Sequence, residues 1–198
     1  MARFLDLFVL PPNKHVFASR TSYCRVVEVD LRFDPAEIGA LAARFGDDAG
    51  DARPAALGAA AALRGHYTRA EFLALCEWKS PRSRPLVAAN PAGAVRAATR
   101  QALGPAADER ERIAALLALR GVGMPTASVL LHFAMPDRYP ILDVRALESL
   151  GVSGHTSYTV AFWVAYVGAC RALAAAHGVT LRTLDKALWQ ASKERSMG

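Results

Sequence analysis

The chain is poor in the features that staple, anchor or repeat a protein. Its 198 residues include three cysteines, Cys24, Cys76 and Cys170, far apart and without a CxxC pair. That spacing argues against a zinc or iron–sulfur ligand set and against a disulfide framework. Buried thiols in a reducing compartment are expected instead, with no metal and no cofactor. Long apolar runs are also missing. Phe4–Leu10 is short and holds Asp6, which makes it a poor signal peptide, and Arg171 cuts Val160–Cys170 well short of a bilayer-spanning length. These absences predict a cytoplasmic protein that is no membrane partner, taken as a monomer. Strand-like segments are scarce, low-complexity tails are absent, and no internal repeat is visible.

What is present is material for a helical core. Hydrophobic residues make up 53% of the chain and charged ones 21%, the balance of a folded protein. Alanine runs such as Ala59–Ala62 and Ala174–Ala176 favour helix, so the expected fold class is all-α. The net charge is +6, with 24 Lys and Arg against 18 Asp and Glu. That balance suits a polyanionic partner through counterion release, although an Arg- and Ala-rich composition alone gives the same sum.

Along the chain, Arg25–Phe33 alternates apolar and polar residues like a short strand or extended arm. Asp34 and Pro35 open a predicted helix through Phe45, Gly46–Arg53 reads as a loop, and Pro54–Arg64 reads as a second helix. Thr68 is an N-cap for Arg69–Trp78, and Lys79–Pro91, with three prolines, predicts a loop or interrupted helix. Further helices are expected at Ala92–Leu103, Asp108–Leu119, Pro125–Ala134, Val144–Leu150, Tyr158–His177 and Thr183–Lys193. Asp108 and Glu111 have capping-box spacing, and Gly151 and Gly178 stand where helices stop.

The informative segment is Leu116–Leu147. A helix runs into Gly121-Val122-Gly123, and a second begins near Pro125. Two glycines allow a tight hairpin with Val122 turned inward. The amides opening the second helix, with its dipole, are then free to hold a backbone phosphate without reading sequence. The pattern Leu116, Leu119, Gly121, Val122, Gly123, Thr126, Ala127 resembles the helix-hairpin-helix of the endonuclease III/MutY/AlkA superfamily of DNA glycosylases. About twenty positions after the hairpin glycines, Tyr139-Pro-Ile-Leu-Asp143-Val-Arg145 resembles the MutY form of that family's acidic motif.

The resemblance implies a two-lobed helical fold of the helix-hairpin-helix glycosylase type with a central cleft. One lobe would comprise residues 1–66 with 152–198, the other residues 67–151. It also implies double-stranded DNA carrying a modified base as partner. Asp143 would stabilise the oxocarbenium-like sugar as the base departs from a flipped nucleotide, and would orient the attacking water. As a helix N-cap before Val144, the same residue has an ordinary structural use, and the two roles are compatible. Bifunctional relatives carry a lysine just after the second hairpin glycine, where this chain has Pro125. The implied activity is therefore monofunctional, hydrolysing the N-glycosidic bond and leaving an abasic site. Lys79 is the one amine that would overturn this.

Around Lys79, the run Glu77-Trp78-Lys79-Ser80-Pro81-Arg82-Ser83-Arg84 joins an aromatic, a carboxylate and three cations. Trp78 is a candidate to stack on an extruded base, Arg82 and Arg84 to bind phosphates, and Glu77 to assist base protonation. The alternative is a core tryptophan beside a solvated loop. Arg145 is a candidate phosphate ligand; His132, Trp163, Tyr166 and Trp189 are assigned to packing. Competing readings are a non-catalytic helix-hairpin-helix DNA-binding protein and a helical interaction domain whose hairpin is only structural.

Overall fold

A computed structural model of the chain describes residues 14–17, 27–45, 48–152 and 158–197. The apolar stretch Phe4–Leu10 and Cys24 lie outside them. The architecture is mostly helical, with one two-stranded antiparallel ribbon, β1 Lys14–Phe17 and β2 Val27–Asp30, in which Lys14 pairs with Asp30 and Phe17 with Val27. The expected strand in Arg25–Phe33 is thus present as β2; β1 was not anticipated, so the all-helical expectation holds only in its main part. After a single 3-10 turn at Pro35–Glu37 capped by Asp34, the helices are α1 Ile38–Phe45, α2 Asp48–Arg64, α3 Arg69–Lys79, α4 Arg84–Ala88 and α5 Ala92–Leu103. They continue with α6 Glu109–Leu117, α7 Met124–Ala134, α8 Val144–Ser149, α9 Val160–Ala176 and α10 Leu181–Arg195.

Most boundaries follow from local chemistry. Thr68 and Asp108 each close a full capping box, with Glu71 and Glu111. Gly151 and Gly178 end α8 and α9 in the left-handed region, at φ +69° and +63°. The main departure is α2, which starts at Asp48 and carries Pro54 inside it, where a loop to Arg53 was expected. A long-range contact explains the extra turns. Asp51 accepts from Arg182 Nη2 at 2.6–2.7 Å and from Nε at 2.9 Å, an anchor that outweighs one amide lost at proline. The segment after Lys79 is an interrupted helix: a 3-10 turn at Pro81–Ser83, then α4.

The core forms around α7, whose residues Met124 and Thr126–Ala134 are all buried. Helices α2, α3, α5 and α6 pack against it, while α10 gathers α1, α8 and α9. Each large apolar side chain so enclosed stabilises the fold by about 1.5–3 kcal/mol. Gly58 of α2 is required where α2 crosses α7, since a Cβ there would lie 2.0 Å from the Phe133 carbonyl oxygen. Buried hydroxyls pin the layers: Tyr67 donates to the Leu130 carbonyl at 2.7 Å, and Tyr166 to that of Ile141 at 2.8 Å. The core is continuous, including Leu75 and Leu130 of segment 67–151 as well as Leu41, Leu173 and Leu188 of the flanking segments. Among the described residues no single helix is long and apolar enough to cross a membrane.

Candidate active site and hairpin

Asp143 precedes α8 in extended conformation and caps it, its Oδ1 accepting from the Arg145 amide at 3.0 Å. Its Oδ2 accepts from Lys79 Nζ at 2.7 Å, and the two side chains retain 24% and 14% exposure. One oxygen therefore serves the helix and the other is turned to a neighbouring charge. Lys79 reaches this point from the C-terminal residue of α3, 64 positions earlier in the chain. No residue spacing announces that meeting.

Asp143 is also held close to the hairpin. The Leu142 amide donates to Ser128 Oγ at 2.9 Å, and Ser128 Oγ donates to the Pro125 carbonyl at 2.7 Å. Ser128 lies four residues into α7, about 6 Å along its axis from Met124. The carboxylate is thus one residue removed from a hydrogen bond to the first turns of the second hairpin helix. Ser128, fully buried, is a positioning residue that pattern reading missed.

The hairpin itself is tight at one glycine. Gly121 has φ +75°, and a Cβ there would sit 2.6 Å from Leu86 Cβ and 2.9 Å from the Val87 amide nitrogen. Gly123 differs from expectation: it is the exposed N-cap of α7 in ordinary extended conformation, and a Cβ would meet only Pro125 Cδ at 3.8 Å. Val122 is turned inward at 7% exposure, as expected. No side chain caps α7, so the amides of Met124 and Thr126 have no intrahelical partner. The Thr126 side chain is buried, which leaves only its backbone amide to meet a ligand. Asn90, also buried, clamps the turn: its Oδ1 accepts from the Arg120 amide and its Nδ2 donates to the Arg120 carbonyl, both at 2.9 Å. Arg120 is exposed at the bend, and, like Asn90, was not singled out by sequence.

The basic loop lies against this hairpin through Leu86 and Val87. Arg82 is exposed, and Arg84 is exposed but paired with Glu77 at 2.9 Å. Trp78 is 39% exposed and stands edge-on to Phe133, with ring centroids 5.2 Å apart, so it is neither core nor free. Lys79 belongs with Asp143 rather than with the loop cations. Glu77 lines a neighbouring hollow with Arg53 and Leu57, not the one that Asp143 lines.

A pocket of about 230 Å³ opens at Asp143 and Lys79, walled by Phe45, Trp78, Ile141 and Trp189, with Arg182 and Asp185 at its polar side. Trp189 was assigned to packing, yet it is only half-buried and lines this pocket. Phe45 meets it edge-on at 5.1 Å, while the Arg145 guanidinium and the Lys193 ammonium each lie 5.3 Å from its centroid. Arg145 also donates to Ser192 and Ser196 hydroxyls, at 3.4 and 3.2 Å, and has no carboxylate partner among the described residues. The signal for this wall was available: Arg182, Asp185 and Trp189 fall at i, i+3 and i+7 on one helix. His132, Trp163 and Tyr166 are core residues. No cluster of metal-ligating side chains occurs among the described residues.

No protein-family model matches the chain, and no curated protein or solved structure matches it.

Proposed function

We propose that the chain is a DNA glycosylase of the two-lobed helix-hairpin-helix type, hydrolysing the N-glycosidic bond of a modified base flipped from duplex DNA. The observation that carries this reading is Asp143. Its carboxylate stands at the mouth of an aromatic-walled pocket, one oxygen fixed by α8, and its backbone is tied through Ser128 to the hairpin helix. A phosphate on the free α7 amides would then hold the strand, and the same nucleotide's sugar would face the acid. As the C1′–N bond lengthens, positive charge grows on the sugar, and a fixed carboxylate in the aromatic-walled pocket stabilises it. Water adds to C1′, its proton passing to the carboxylate, and an abasic site remains. Exposed Arg82 and Arg120 supply further phosphate contacts beside the bend. The test is base release from duplexes bearing a panel of alkylated, deaminated and oxidised bases. Release of none of them by a preparation that binds the duplex would favour a non-catalytic DNA-binding protein.

A second reading of the same site has its own observation, the 2.7 Å contact between Lys79 Nζ and Asp143. With its proton passed to the carboxylate, the amine would bond to C1′ as the base leaves with the C1′–N electron pair. Loss of a second N–H proton and opening of the sugar ring then give an imine. Borohydride reduces that imine to a stable amine, so a covalent protein–DNA adduct that disappears with Lys79→Gln would establish this route. Absence of the adduct alongside base release would establish hydrolysis.

A further inference from the structure

The pocket holds a second carboxylate that the sugar chemistry does not use. Asp185, on α10, is 6% exposed and lines the same pocket as the Asp143–Lys79 pair. Arg182 bonds its Oδ2, whereas Oδ1 has no hydrogen-bond partner among the described residues. Although its residue is almost wholly buried, this unpaired oxygen remains reachable from an aromatic-walled cavity, where it is placed to meet a ligand. Phe45, Trp78 and Trp189 suit a flat ring, and the pocket, at about 230 Å³, is small.

We infer that Asp185 is the acid of this pocket, its Oδ1 passing a proton to the departing base while Asp143 faces the sugar, and that the base it serves is a neutral one. The inference rests on the glycosylase reading. In the step, the C1′–N bond breaks with its electron pair going to the base. The Asp185 proton moves to that base, which leaves uncharged, and the carboxylate is reprotonated from solvent. The charges at the pocket agree with a neutral ligand. With Asp185 carrying its proton, the two cations Lys79 and Arg182 outnumber the one ionised carboxylate, Asp143, so the lining has no surplus negative charge to select a cationic base.

The groups acting on Asp185 come from several elements: Arg182 on its own helix, Lys79 from α3, Asp143 before α8, and Tyr166 and Cys170 from α9. Asp51 of α2 acts through Arg182, which it binds, with Lys186 at 3.5 Å from that same carboxylate. His132 of α7 feels both Arg182 and Asp51. Burial outweighs the nearby cations and pushes the Asp185 carboxyl up to about 6. A group placed there holds a proton in part of the population near neutral pH, as a general acid requires.

The experiment compares Asp185→Asn with wild type in single-turnover release of two bases, hypoxanthine as a neutral base and 7-methylguanine as one already cationic. The variant should lose about 100-fold or more on hypoxanthine and change by less than about tenfold on 7-methylguanine. The alkaline fall of the hypoxanthine profile, expected near pH 6, should vanish with it. Equal losses on both bases, which misfolding or a packing role would give, overturn the inference. If wild type releases neither base, the glycosylase reading passes to the wider lesion panel, and occupancy still tests Asp185. Tryptophan fluorescence is then titrated with free hypoxanthine in the presence of a duplex carrying a tetrahydrofuran site. Saturable quenching that weakens at least about tenfold in Asp185→Asn supports a base-holding Asp185; identical titrations overturn it.

Discussion

At the scale of single residues, Asp143 combines two duties that substitution can separate. Asparagine keeps an N-cap oxygen for the Arg145 amide but removes the charge that would meet the sugar. We expect Asp143→Asn to lower base release by about 100- to 1,000-fold or more with duplex binding retained, checked by single-turnover kinetics and a binding titration. The loss of its partner leaves Lys79 only 14% exposed beside a neutral amide, so a modest fall in thermal stability should accompany the change. His132 provides a residue-scale test of the core. Burial lowers its imidazole to about 4 from an ordinary value of 6.5, partly offset by the hydrogen bond between Nδ1 and the Tyr139 carbonyl at 2.7 Å. A cation-forming group depressed in the fold stabilises it above pH 6.5 and loses that contribution as pH falls from 6.5 through about 4. Asp185 runs the other way: raised to about 6 from 3.8, its contribution is full below 3.8 and is lost as pH rises through about 6. Calorimetry between pH 7 and 4 should show a shallower acid-side loss in His132→Asn than in wild type. Parallel curves would mean that burial does not shift the His132 imidazole.

At the scale of elements, the hairpin divides its two glycines by role. Gly121 occupies the left-handed region under Leu86, so Gly121→Ala should cost about 1–3 kcal/mol from backbone strain and crowding. Gly123 has an ordinary backbone and open space, so Gly123→Ala should cost at most about 1 kcal/mol, from the poorer N-cap, while its methyl group crowds a phosphate at the α7 amides. Thermal melts and a DNA-binding titration on both variants check this. Gly123→Ala that binds duplex as tightly as wild type would place the phosphate elsewhere. The contrast also marks what the sequence could disclose. A GxG bend, the inward Val122 and the caps Thr68 and Asp108 are local signals, and local signals survive folding. The start of α2 is not local, because its first turns depend on Asp51 meeting Arg182 across the molecule. For the same reason Asn90 and Ser128, which hold the bend and the Leu142 backbone, carried no mark in their own neighbourhoods.

At the scale of the whole molecule, the site is assembled from segments far apart in the chain: the ends of α1 and α3, the hairpin, the turn before α8 and one face of α10. Asp143 was legible because a short motif marked it, whereas its contact with Lys79 and the wall formed by Trp189 and Asp185 needed the fold. An i, i+3, i+7 face on α10 was readable as a face, but not as one turned to a pocket rather than to the core. The excess of 24 basic over 18 acidic side chains gives a further expectation at this scale. Duplex affinity should fall linearly with the logarithm of salt concentration, with a slope of roughly 0.9 per phosphate neutralised. Arg82→Ala and Arg120→Ala should each shallow that slope by about one unit without altering sequence preference. A salt-independent interaction would favour the helical interaction domain instead.

Single-turnover release of modified bases from a lesion panel, run in parallel on wild type and Asp143→Asn with duplex binding measured on both, bears most directly on the central claim. Wild type is expected to free at least one base, and the variant to bind the same duplex yet free it at least about 100 times more slowly. Release by the variant at the wild-type rate, or none by wild type from any duplex it binds, would contradict that claim.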